Sequence, residues 1–165
     1  MATLKEKFVA KMGPMQERVK KLNKEFGDVN VSKVDVGQII GGARDVRCLV
    51  TDISYLDPFE GIRFRGKTIP ETFAALPKVP GKEQPFVEGF FWFLLTGDVP
   101  TMQETLEVVE DWKARAQVPH YVIDVLRALP RDSHPMTMFS AAILSMQRDS
   151  LFAKRYGEGN LTKNA

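Results

Sequence analysis

The sequence predicts a mainly α, multi-helical fold with a few short β-strands confined to residues about 34–66. Apolar residues recur at helical spacing near the N-terminus. A glycine-punctuated, β-branched stretch follows, and beyond Pro70 come four periodic segments, each bounded by proline or glycine. At 165 residues and 44% hydrophobic content, the chain has the size of one compact domain and enough apolar residues to fill a core. No repeat, low-complexity tract or linker divides it, so residues 1–165 read as a single region.

The first helix is expected over residues 3–27. Leu4, Phe8, Met12, Met15, Val19, Leu22 and Phe26 fall in steps of four and three on one stripe, with lysines over the remaining surface. Thr3 and Glu6 have the spacing of a capping box, in which each side chain satisfies the other residue's backbone N–H. Gly13-Pro14 predicts a kink or a break into two helices, and Gly27 a stop. Such a helix packs one face on its own core; the alternative is a basic amphipathic arm for a membrane or a partner.

Three segments between residues 34 and 66, VDVGQIIGG, RCLVTDISYLD and IRFRG, predict short strands. Within LDPFEGIRFRGKTIPE, Ile62 and Phe64 alternate with Arg63 and Arg65. A strand there is expected to bury the apolar pair and turn both cations outward. Thr68 and Glu71 with Pro70 between them mark a capped helix start, and the chain reads as helical from there over 69–159. FVEGFFWFLLTG is apolar nearly all round, which places it centrally or at a subunit interface. Thr101 and Glu104 predict another capping box. The helix behind it sets Met102, Leu106, Val109, Trp112 and Ala116 on one face, and Glu104, Glu107 and Asp111 on a solvated one.

Composition excludes several function classes. Lys and Arg number 23 against 21 Asp and Glu, a net charge of +2 without any polybasic run, so nucleic acid is not an expected partner. The longest apolar run, FFWFLL at 90–95, is too short to span a bilayer. The basic start MATLKEKFVAKM carries Glu6, whereas transit peptides are poor in acids. Cys48 is the only cysteine, which excludes an intramolecular disulfide and a multi-cysteine metal site; it reads as a small core residue. His120 and His134 each stand at an expected helix start with no second ligand at metal spacing, so neutral hydrogen-bonding roles are expected. Glu110 and Asp111 are adjacent on a helix and diverge. No catalytic set and no metal site follow from these residues. In GQIIGGARDV, Gly41 and Gly42 precede Arg44: glycines let backbone N–H groups turn toward an anion, and an arginine adds a bidentate phosphate contact. A simple strand-to-strand turn accounts for the same pattern.

GGARDVRCLVTDISYLDPFEGIRFRGKTIPE resembles the N-terminal region of eukaryotic, mitochondrial-type citrate synthases. The resemblance continues through LPK, PFVEGFFWFLLTGDVPT, the W-x-x-R-A motif at Trp112–Ala116, HPM at 134–136 and FSAAILSMQRDSLFAKRYGEG, and so covers almost the whole chain. It implies a citrate-synthase-like large-domain portion, working as a homodimer in the mitochondrial matrix. That family condenses acetyl-CoA with oxaloacetate to citrate and CoA, with two histidines and an aspartate in acid–base roles and neither a metal nor a covalently bound cofactor. Those three groups lie downstream of the matched region, so no catalytic residue is expected in this chain, and neither His120 nor His134 takes that role. On this reading the chain is an N-terminal portion, inactive alone, whose apolar faces (above all FFWFLL) await a second copy or the missing C-terminal part. The alternative is a non-catalytic citrate-synthase-like structural or regulatory subunit. Arg44 occupies the arginine position of the family's GG-x-R loop, which approaches CoA phosphates. A second CoA-contacting arginine is expected just beyond YGEG, but NLTKNA stands there, where Lys163 is only a loose substitute.

Overall fold

A computed structural model describes residues 3–43, 46, 50–57 and 59–159. The described residues form eight α-helices and one two-stranded antiparallel ribbon, a mainly α fold as the periodicity predicts. The chain gathers into two compact units, Met1–Lys113 and Ala114–Ala165.

In the first unit, helix α1 spans Leu4–Phe26 and opens on the expected Thr3–Glu6 capping box. The expected break at Gly13-Pro14 does not occur, and Pro14 lies inside one continuous helix. Only the first half of α1 packs: Leu4, Phe8 and Met12 are half-buried, whereas Met15, Val19, Leu22 and Phe26 stay exposed. Helix α2, Val36–Ile40, replaces the strand expected in VDVGQIIGG. The reason is local. Asp35 accepts from the Gln38 N–H and the Gln38 side chain accepts from the Asp35 N–H, so a capping box outweighs the β-branched composition.

Strands β1 (Ser54–Asp57) and β2 (Gly61–Phe64) pair in a hairpin, with Tyr55 opposite Arg63 and Leu56 opposite Ile62. The Asp57 carboxylate closes the hairpin by accepting from the Phe59 and Glu60 N–H groups. Helix α3 (Ile69–Ala75) follows the Thr68–Glu71 capping box with Pro70 in its first turn, and α4 (Val87–Thr96) and α5 (Met102–Arg115) complete the layer.

Helix α4 is the centre of this unit, with Trp92 and Phe93 almost wholly buried. FFWFLL is thus largely covered within the unit, with Phe91 partly exposed. Gly89 lets α5 come close, since a Cβ there would lie 3.2 Å from Thr105 Oγ1. Thr105 is fully buried and returns its hydroxyl hydrogen to the Thr101 carbonyl. That close approach selects which face of α5 turns inward. Glu104, Thr105 and Val108 are buried, whereas Met102, Leu106 and Trp112 of the expected apolar face remain partly exposed. Trp112 keeps an edge-on contact with Phe91 at 5.2 Å.

In the second unit, α6 (His120–Ala128) packs on α7 (Pro135–Ser145), which runs through a 3₁₀ turn, Met146–Asp149, into α8 (Leu151–Gly157). Val122 is buried, and Tyr121 donates to the Asp149 carboxylate at 2.7 Å.

Glu104 corrects the expectation of a solvated face. It is buried, accepts from the Thr101 N–H to form the predicted capping box, and pairs with Lys7 of α1. The Lys7 ammonium is the main cause holding its carboxyl below the ordinary value of 4.5, assisted by Thr101 and opposed by burial. A carboxyl lowered in the folded state contributes stability that is complete above 4.5 and lost as pH falls through the lowered value. Glu104→Gln keeps the backbone cap and removes the charge. It is expected to cost about 1–2 kcal/mol at pH 7, part of the pair's attraction being screened at the half-exposed Lys7. The difference from wild type should shrink below pH 4.5, read by urea unfolding followed through tryptophan fluorescence.

Candidate functional site

The cations and histidines singled out in the sequence divide sharply by what holds them. Arg63 donates to the Glu60 carboxylate at 2.9 Å and to the Gly66 carbonyl at 3.0 Å, a local bracket around the β2 turn. Arg65 is not turned outward as strand alternation predicts. Strand β2 ends at Phe64, and Arg65 with Gly66 forms a tight turn in which both have positive φ (48° and 82°), closed by paired bonds between Phe64 and Lys67. This left-handed backbone takes Arg65 out of the strand pattern. Its side chain, 11% exposed, donates to the Leu94 carbonyl at 2.9 and 2.6 Å, to the Leu95 carbonyl at 3.2 Å, and pairs with Asp52 at 3.2 Å.

Lys11 of α1 reaches the same helix end, donating to the Thr96 carbonyl at 2.6 Å and pairing with Asp98. The Gly97 N–H returns to the Phe93 carbonyl at 2.8 Å, with Gly97 itself in the left-handed region at φ 77°. All four terminal carbonyls of α4 are thereby satisfied, and the negative pole of the helix faces two cations. Neither Arg65 nor Lys11 signals this role in the sequence, because both partners lie far along the chain.

The glycine pair is also accounted for. The Gly41, Gly42 and Ala43 N–H groups donate to the Gly37, Ile39 and Gln38 carbonyls at 2.9, 3.1 and 2.8 Å, closing the C-terminus of α2. These amides are committed to the helix end, so they form no nest for an anion. The candidate contact itself, Arg44, lies outside the described residues, as does Cys48. No group of three or more His, Cys, Asp and Glu among the described residues is arranged to hold a metal ion. No helix among them is long and apolar enough to cross a membrane.

Both histidines make hydrogen bonds within their own helices. His134 is the N-cap of α7, its Nδ1 accepting from the Met136 N–H at 3.2 Å, a bond that requires an unprotonated nitrogen. His120 Nδ1 lies 2.9 Å from Asp124 Oδ2, one turn along the exposed face of α6. An apolar hollow of about 420 Å³ opens in the first unit beside Phe64, Phe73, Phe86 and Phe90. Its walls offer almost no polar group to orient a reacting molecule.

Fold and site together define a helical scaffold in which the described polar side chains cap and clasp instead of converging for catalysis. A family model described as "Citrate synthase, C-terminal domain" matches residues 42–164. The mitochondrial citrate synthases of Aspergillus niger and Saccharomyces cerevisiae are 45% and 44% identical to this chain over 157 residues, 95% of it and 33% of each relative. A probable mitochondrial citrate synthase of Glossina morsitans morsitans is 44% identical over 158 residues, 96% of this chain and 34% of its own length. The chain belongs to the citrate synthase family. It spans about a third of the length of these relatives.

If His134 serves as a cap, its imidazole is replaceable by any short acceptor. His134→Asn is expected to leave stability within about 0.5 kcal/mol of wild type, whereas His134→Ala should lose about 1 kcal/mol. Both are measured by urea denaturation at neutral pH.

Proposed function

We propose that this chain supplies the scaffold portion of a citrate synthase, which condenses acetyl-CoA with oxaloacetate to citrate and CoA, and that Arg44 contacts a phosphate of CoA. Identity of 45% along 95% of the chain to mitochondrial citrate synthases carries the proposal. Because Gly41, Gly42 and Ala43 spend their amides on α2, the phosphate contact falls to the Arg44 guanidinium, whose planar fork suits a phosphate. The acid–base groups of the condensation come from outside this chain. Its two histidines are engaged in a helix cap and an exposed carboxylate pair, away from any cluster that could polarise a carbonyl. The rest of a longer chain supplies them, the whole working as a homodimer in the mitochondrial matrix; the relatives' names, which say mitochondrial, support the organelle.

The chain by itself is expected to give no CoA release from acetyl-CoA and oxaloacetate, assayed by thiol appearance. Turnover that survives stringent purification overturns this. In a completed enzyme, with this chain joined to the remaining length of a relative, Arg44→Ala is expected to raise KM for acetyl-CoA about 10-fold, the loss of one charge-assisted contact. An unchanged KM removes Arg44 from the site.

A further inference from the structure

Helix α1 is held to its unit by a narrow strip. None of its 23 residues is buried, and residues 13–26 are exposed throughout. Leu4, Lys7, Phe8, Lys11 and Met12 are half-buried and fall on one stripe at helical spacing. Its polar ties to α4 and α5 are made by side chains. Lys7 pairs with Glu104, while Lys11 donates to the Thr96 carbonyl at 2.6 Å and pairs with Asp98. The two lysines stand one turn apart, facing two carboxylates and the negative pole of α4. The Lys7 ammonium also lies 5.3 Å from the centre of the Trp92 ring. Trp92 is fully buried and Lys7 only half-buried, so α1 roofs the ring on this side. The closest contact beneath, Gly89 against Thr105, is made between α4 and α5 without α1. Residues 27–35, which join α1 to α2, are exposed and non-helical. A helix with so few buried apolar contacts opens at a lower free energy than the core it covers.

We infer that α1 is a strap that opens and closes as one piece over a receptor built from Glu104, Asp98, the Thr96 carbonyl and the Trp92 ring. The chemistry of that face selects a basic amphipathic helix with two lysines four residues apart. Its occupant is residues 3–26 of this chain.

Native-state hydrogen exchange on the full chain tests the strap. The amides of residues 8–12, beneath the ties, are expected to exchange about 10-fold faster than those of Trp92 and Phe93, and in step with residues 16–26. Protection of residues 8–12 equal to that of Trp92 and Phe93 overturns the strap, because only the exposed half of α1 then frays. The receptor is tested in a Trp112→Phe chain, where Trp92 is the sole tryptophan. Adding Lys7→Met and Lys11→Met keeps the apolar stems and removes both charges. Acrylamide quenching of Trp92 is expected to rise about 3-fold and to fall back when a synthetic peptide of residues 3–26 is added in excess. The same peptide with both lysines replaced by methionine is expected not to restore it. Failure of the wild-type peptide to protect Trp92, or equal protection by both peptides, overturns the receptor. Where the double variant does not fold, the exchange pattern of the unsubstituted chain decides.

Discussion

The C-terminus of α4 is the point on which the first unit depends. A helix apolar nearly all round has no polar face to fix its rotation, so burial alone does not orient it. Its end does. The Leu94 and Leu95 carbonyls accept from Arg65 after the hairpin, and the Thr96 carbonyl accepts from Lys11 of the first helix. Each bond is made where the helix is electrically negative and its carbonyls lack intrahelical partners. One helix terminus therefore sets the placement of the β-ribbon and of α1 against the core. Lys7, one turn before Lys11, adds a second tie to α5 through Glu104, and its ammonium lies 5.3 Å from the centre of the buried Trp92 ring.

Arg65 achieves this from a conformation that few side chains adopt. A non-glycine residue in the left-handed region carries strain of about 1–2 kcal/mol. Hydrogen bonds to a charged donor are worth about 1.5–3 kcal/mol each, and Arg65 makes several to part-buried carbonyls that lack an intrahelical partner. The balance favours the strained turn. Gly97 contributes from the other side: at φ 77° it ends the helix, and the position its Cβ would occupy is 3.8 Å from Arg65 Nε. The two termini, one of a strand and one of a helix, are built around the same guanidinium.

What the sequence revealed follows the range of each interaction. The boxes at Thr3–Glu6, Thr68–Glu71 and Thr101–Glu104 are complete within four residues, and all three form as the spacing predicts. Asp35 and Gln38 have a related spacing, but the β-branched residues around them suggested a strand; the cap prevailed because it satisfies backbone donors directly. Arg65 and Lys11 resisted sequence reasoning because their partners lie 29 and 85 residues away. The inward face of α5 was misread for a related reason. Threonine counts as polar in a periodicity, yet Thr105 bonds its own helix and becomes the residue that fits against Gly89. Arg44 emerged from family resemblance joined to a weak glycine signal; periodicity and composition do not single it out.

The fate of the glycine pair narrows how a phosphate can be recognised in this segment. Backbone nests bind anions with donors that carry no side-chain entropy and vary little with sequence. Here those donors close a helix, and both arginines of the following hairpin are engaged, Arg63 with Glu60 and Arg65 with α4. On the proposed reading, recognition rests on a side chain with several rotatable bonds, and its affinity depends on how far the backbone beneath it is held. A contact of that kind gains more from a fixed backbone than a nest does, because ordering the arginine is the larger cost.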